Sequence, residues 1–172
     1  MLASGAVTGC DPRMALPEVA QRIISSLGLL PLPHEGGYFR QTWRSEAGSA
    51  ILFLMTRDGF SALHRIVQPE LWHFHAGDPV EHVRFDRVTG QIRVTRLGAD
   101  VLKGENPQLV VPAGEWQGAR LADLHGDVEA GYALVGCTLA PAWDDRGFEL
   151  GNRMALLEAF PAAADWIRAL TR

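Results

Sequence analysis

Ser61-Ala62-Leu63-His64-Arg65-Ile66-Val67-Gln68-Pro69-Glu70-Leu71-Trp72-His73-Phe74-His75-Ala76-Gly77-Asp78-Pro79-Val80-Glu81-His82 decides the fold. Its apolar residues come in short runs broken by the turn signal Gly77-Asp78-Pro79, which predicts strands at Ala62 to Ile66 and Glu70 to His75 and a third from Val80 to Phe85. Side chains alternate faces along a strand. If Glu70 faces inward, Trp72 and Phe74 follow it. His73 and His75 then point the other way, toward a second sheet, a subunit partner, a polar rim or solvent, unless a bulge shifts the register.

Outward from this stretch the punctuation continues, with turn signals at Gly36-Gly37, Asp58-Gly59, Thr89-Gly90, Asn106-Pro107 and Pro112-Ala113-Gly114. Six further strands are predicted at Tyr38 to Trp43, Ile51 to Met55, Gln91 to Leu97, Gln108 to Val111, Glu115 to Leu121 and Tyr132 to Leu139. Short strands without intervening helices predict a mainly β sandwich, jelly roll or barrel rather than a parallel α/β sheet. Helices flank this core. Leu16 to Leu29 carries Pro17 at its start, Val19, Ala20, Ile23, Ile24 and Leu27 at helical spacing, and Gly28 at its end. A second helical region runs from Asn152, as its N-cap, to Thr171, with Pro161 starting a new helix.

The whole has the size of one domain, 172 residues, with 47% hydrophobic and 21% charged residues. The apolar run Ala50 to Met55 is far too short to cross a bilayer, so no membrane partner is expected. Sixteen basic against twenty acidic residues give a formal charge of -4, which removes the electrostatic case for nucleic-acid binding. Cys10 and Cys137 cannot form a disulfide framework, and residues 1–15 lack the charged start and apolar core of a secretion signal. The expectation is a cytoplasmic protein with a loose segment over 1–15 and a single domain over 16–172.

Two further strings extend the picture. His64, five residues, Glu70, six residues and Gly77 resemble the first motif of the cupin superfamily, in which an H-x-H pair precedes a glutamate and then a glycine. Pro112-Ala113-Gly114-Glu115-Trp116-Gln117 resembles the second, P-x-G followed by a metal-binding histidine. Together with Glu35-Gly36-Gly37-Tyr38-Phe39-Arg40, Trp72-His73-Phe74-His75-Ala76-Gly77-Asp78, Val135-Gly136-Cys137-Thr138 and Phe148-Glu149-Leu150-Gly151, these motifs resemble a branch of small single-domain cupins without an established activity. The similarity spans about Leu32 to Gly151. It implies a cupin-type double-stranded β-helix, or jelly roll, and a homodimer.

The superfamily motifs imply a four-ligand metal set, from which this chain departs, and the pattern of the branch it resembles also lacks the full set. Ala62 stands at the first H-x-H position and Gln117 at the second-motif histidine, which leaves His64 and Glu70 as the strong donors. No cofactor is expected, beyond a weakly held divalent ion on His64, Glu70 and Gln117. Without a metal, these three residues, walled by Trp72 and Phe74, have the composition of a small-molecule pocket. An imidazole with an unperturbed pKa of about 6.5 suits His64 to general-base work, with Glu70 beside it. Non-metal barrels of similar architecture include the dTDP-sugar epimerases, whose histidine base works with a tyrosine acid. Tyr38 and Tyr132 are the candidates here, and Arg40 is a candidate for an anionic substrate group. Three readings follow: a metal-independent isomerase or epimerase acting on a sugar- or nucleotide-like metabolite, a non-catalytic binding or sensor module, or a metal-dependent enzyme with a reduced ligand set. Cys137 reads as an inert buried thiol, and His34, His82 and His125 receive no role.

Overall fold

The computed structural model describes residues 16–86, 88–122 and 130–172. Residues 1–15, with Cys10, and His125 lie outside that range. After Pro17 the chain enters α1 (Glu18–Leu27), which stops at Gly28, whose left-handed backbone lets its N–H reach the carbonyls of Ile24 and Ser25. Nine strands follow the sequence expectation closely: β2 (Tyr38–Arg44), β3 (Ser49–Thr56), β4 (Ser61–Ile66), β5 (Glu70–Gly77), β6 (Val80–Phe85), β7 (Ile92–Leu97), β8 (Gln108–Val111), β9 (Trp116–Leu121) and β10 (Tyr132–Leu139). Gln91 and Glu115, expected inside strands, lie just before them. Two short strands are additional, β1 (Leu30–Pro31) and β11 (Phe148–Leu150). Each is an edge piece of two or three residues, too short for alternation to reveal.

The strands form two sheets, a six-stranded one in the order β1-β2-β3-β10-β5-β8 and a five-stranded one in the order β11-β4-β9-β6-β7. Every ladder within them is antiparallel. This is a mainly β jelly roll flanked by helices, as the sequence predicts. The interior between the sheets is filled by Phe53, Met55, Trp72, Val80, Leu97, Val111 and Val135. A second apolar cluster lies on the far side of the five-stranded sheet, where Leu63, Val83 and Phe85 meet Leu156, Ile167 and Leu170 of the C-terminal helices. Burying each such side chain contributes roughly 1.5–3 kcal/mol.

Those helices begin where capping chemistry says they should. The Asn152 side chain accepts the Ala155 N–H at 3.1 Å at the head of α2 (Arg153–Ala159), and Pro161 opens a single 3-10 turn leading into α3 (Ala164–Ala169). Arg172 then reaches back across the molecule. Its guanidinium donates to the carbonyls of His34 and Glu35 and stacks over Phe60. Among the described residues no helix is long and apolar enough to cross a membrane.

Three register shifts re-aim side chains. In β5 the pairing with β10 skips His75, since Phe74 faces Val135 and Ala76 faces Leu134. The shift falls after Trp72, so the inward parity of Glu70 and Trp72 survives. In β2 the pairing skips Thr42. In β4 two residues oppose one on β9, so that Ser61 pairs with Ala119 and His64 with Gln117. Both partners are buried interior residues of β9, so Ser61 and His64 are aimed inward together. Gly77 closes β5 with φ +95°, where an added Cβ would collide with the Tyr132 carbonyl.

Candidate functional site

A cavity of about 260 Å³ opens between the sheets. It is lined by Glu35, His64, Glu70, Trp72 and Cys137 at its polar end, with Phe39, Ile51, Phe53 and Trp143 among its walls. The size is near the small end of the usual range for ligand pockets, roughly 300–1,000 Å³.

His64 is 2% exposed and its orientation is set by the backbone. Its Nδ1 donates to the Ala62 carbonyl at 2.7 Å, which leaves Nε2 as the lone-pair nitrogen of the neutral ring. Glu35 stands on the Nδ1 side, with Oε1 at 3.8 Å. Its own position comes from β4: the Ser61 hydroxyl donates to Oε1 at 2.9 Å, and the Ala62 N–H donates to the Glu35 carbonyl. The left-handed turn at Gly36-Gly37 delivers Glu35 there, and at Gly37 an added Cβ would press on the Phe53 ring and the Leu54 carbonyl, both at 2.7 Å.

Glu70 is 6% exposed, and one of its oxygens is fully engaged. Oε2 accepts the Gln117 amide N–H at 2.6 Å and the Trp72 indole N–H at 3.2 Å. Burial holds its carboxyl above the usual carboxylate range, opposed by the nearby His64 and reinforced by the charge of Glu35. The Cys137 thiol donates to the same carboxyl and is pushed well up, first by burial and then by the charges of Glu70 and Glu35. It stays a thiol, in keeping with an inert residue, although it lines the cavity.

Gln117 sits 1% exposed between two partners. Its amide nitrogen serves Glu70, and its oxygen accepts from His82 Nε2 at 3.0 Å. His82, like Glu35, is a residue that sequence reasoning missed. It is 1% exposed, packs edge-on to Trp72 with ring centroids 4.9 Å apart, and has no partner for Nδ1. Burial lowers its pKa from 6.5 to about 4, so the ring is neutral near pH 7 and its Nε2 is the donor. The resulting chain runs His82 to Gln117 to Glu70.

The other expected site residues fall elsewhere. Phe74 packs, partly buried, against the interior cluster but does not line the cavity. Phe39 and Gln41 of β2 line it, so their neighbours Tyr38 and Arg40 take the opposite face. Cys137 and Leu139 line it from β10, which likewise puts Tyr132 on the outer face. Both tyrosines of the chain therefore stand outside the cavity, and the histidine-tyrosine pair of the epimerase reading is not assembled. His73 is engaged outside, accepting from Gln108 Nε2 at 2.9 Å and meeting Thr138 Oγ1 at 3.3 Å. His75 packs beside Gly136 on that same face.

The residues at the four metal positions do not fit a tightly held transition ion. Ala62 brings no donor, the Gln117 oxygen is committed to His82, and one Glu70 oxygen already accepts two hydrogen bonds. His64 Nε2 and Glu70 Oε1 are what remains. Among the described residues no group of three or more His, Cys, Asp or Glu side chains is arranged to hold a metal ion.

Comparison with known proteins accords with the fold. The family model described as "Cupin superfamily (DUF985)" matches residues 21–151. A hypothetical protein from Leishmania major is 32% identical, with a TM-score of 0.83 over 88% of this chain and 98% of that one. A protein from Shewanella oneidensis is also 32% identical, with a TM-score of 0.80 over 89% and 97%. A cupin 2 conserved barrel domain protein from Rhodopseudomonas palustris shares the fold at 14% identity, with a TM-score of 0.57 over 84% and 89%. No curated protein matches the chain significantly.

Proposed function

The chain belongs to the cupin superfamily (DUF985), and we propose that it binds a small polar metabolite in its barrel, with His64 placed to exchange a proton with that molecule and no metal taking part. One observation carries the reading: a buried imidazole with Nδ1 tied to a backbone carbonyl, leaving Nε2 as acceptor among the walls of a 260 Å³ cavity. In the reaction Nε2 takes a proton from carbon or oxygen of the ligand. The imidazolium so formed exchanges its proton with solvent, is stabilised by Glu35 beside Nδ1 and by Glu70, and gives a proton to a neighbouring atom of the ligand, which completes the isomerisation. Gln117 and Trp72 hold Glu70 in place. The protein acts as a homodimer in the cytoplasm.

A second reading, a binding or sensor module without turnover, has an observation of its own. Both tyrosines lie outside the cavity, and the indole and thiol donors of its lining are already spent on Glu70 and Asp145. Little is left to stabilise negative charge on a reacting ligand. One experiment separates the two. Cell metabolites are incubated with the protein in D2O containing a chelator, and both bound molecules and carbon-bound deuterium are followed by mass spectrometry. The isomerase reading expects a retained metabolite that gains deuterium with wild type and not with His64→Ala. A retained metabolite with no exchange establishes the binding module instead. Retention and exchange that are unchanged in His64→Ala and Glu70→Gln overturn the site altogether.

A further inference from the structure

The lining of the cavity is one-sided in charge. Glu35, Glu70 and Asp145 contribute carboxyl groups, and among the described residues no lysine or arginine lines it. The arginines near its mouth are committed elsewhere: Arg44 donates to the Trp143 carbonyl at 2.9 Å, and Arg146 pairs with Asp144 at 2.6 Å. A phosphate or carboxylate entering here would meet like charge in a partly desolvated space. That weighs against nucleotide-like ligands.

Hydrogen-bond accounting points the same way. Trp72 N–H and Cys137 S–H both go to Glu70, Trp143 Nε1–H goes to Asp145 at 2.6 Å, and His64 Nδ1–H goes to a backbone carbonyl. Left over are acceptors: one oxygen on each carboxyl and the Nε2 of His64, a side chain that is 2% exposed and makes its hydrogen bond through Nδ1. Gln41 and Ser49 supply the lining's unspent donors. A complementary ligand must donate. The aromatic walls, Phe39, Phe53, Trp72 and Trp143, add faces that attract positive charge.

We infer that the ligand of this cavity is a small organic cation, an ammonium or guanidinium compound with several N–H donors, seated against Glu35, Glu70 and His64 Nε2. The inference rests on the reading of the cavity as a ligand site and sharpens it to a charge class. Glu35 is felt in the protein itself, where its charge adds to burial in raising the proton affinity of Glu70, against the larger opposing effect of His64. A bound cation supplies what a proton would otherwise supply.

The test uses four probes of matched size, butylguanidinium, butylammonium, 1-pentanol and pentanoate, with Kd measured by calorimetry and ligand-observed NMR near pH 7 in chelator. The cations should bind at least about tenfold more tightly than the alcohol or the carboxylate. Glu35→Gln and Glu70→Gln should each erase most of that preference, and Asp165→Asn, an exposed carboxylate on α3, should leave it unchanged. If one glutamine variant fails to fold, the other and the wild-type ranking still decide. Pentanoate or pentanol binding as tightly as the cations overturns the charge class while leaving the cavity a ligand site. No binding by any probe overturns both.

Discussion

In the five-stranded sheet β4, β9 and β6 are largely buried on both faces, and the two faces carry different chemistry. On its outer face Leu63, Val83 and Phe85 are sealed under α2 and α3 in an uninterrupted apolar cluster. On its inner face, beside apolar Val80 and Leu97, His64, His82 and Gln117 are equally buried but polar, and His82 and Gln117 form a chain that ends on Glu70 of the other sheet. Antiparallel sheets ordinarily put their apolar face inward and leave the other wet. Here the helical cover supplies apolar burial outside, so the interior is relieved of some of that task and can hold polar groups. Leu63 and His64, adjacent in sequence, stand for the two roles.

The sharpest way to break this contrast is to cut each face in turn. Leu63→Ala should cost about 2–5 kcal/mol of unfolding free energy in urea melts while leaving cavity binding by the folded fraction unchanged. Equal damage to binding would mean that the faces are not separate.

The inner face should dominate the response to acid. His82 has a folded pKa near 4 against 6.5 unfolded, so the unfolded chain binds more protons between those values. Stability therefore falls as pH drops through that window, by roughly 3 kcal/mol for a gap of this size. His82→Gln should flatten the decline in pH-dependent melts. Glu70 works in the opposite sense: its carboxyl is raised, so its contribution is full below the unfolded value and is lost as pH rises toward the folded one. Glu70→Gln should accordingly gain stability relative to wild type as pH rises above the ordinary carboxylate range. A pH profile unchanged in both variants would remove the buried relay from the account.

Smaller effects refine the comparison. Gln117→Ala should cost about 1–3 kcal/mol, because it strands His82 Nε2 and leaves Glu70 Oε2 with the Trp72 indole N–H but not the amide donor. Asn152→Ala, at the head of the outer helices, should lower stability by about 0.5–2 kcal/mol with no change in ligand affinity.

How much of this was legible in the chain follows from the same contrast. The strands from Val80 to Phe85, Gln108 to Val111 and Tyr132 to Leu139 matched their expected bounds, because turn residues bracket them and short apolar runs fill them. The inward turn of Glu70 and Trp72 followed from period-two parity. His82 escaped because β6 buries both faces: Val80 is apolar inside and Val83 apolar outside, so alternation there carries no signal about which side a polar residue takes. Glu35 was read only as part of a family motif and of the turn before a strand, with no place in the site. Its arrival beside His64 depends on Ser61 and the Ala62 N–H, contacts across 26 and 27 positions that no local pattern encodes. The outward faces of Tyr38, Arg40 and Tyr132 required the register of β2 and β10, which propensity does not supply.

The account stands or falls on Gln117 pointing its amide nitrogen, not its oxygen, at Glu70. The direct measurement is an anomalous-scattering crystal structure of protein grown with zinc, manganese, iron and copper available and purified without chelator. The account predicts Gln117 Nε2 within hydrogen-bond distance of Glu70, its oxygen on His82, and no anomalous peak between residues 64, 70 and 117. A strong peak there, ligated by His64 Nε2, Glu70 and a flipped Gln117 oxygen, would contradict it.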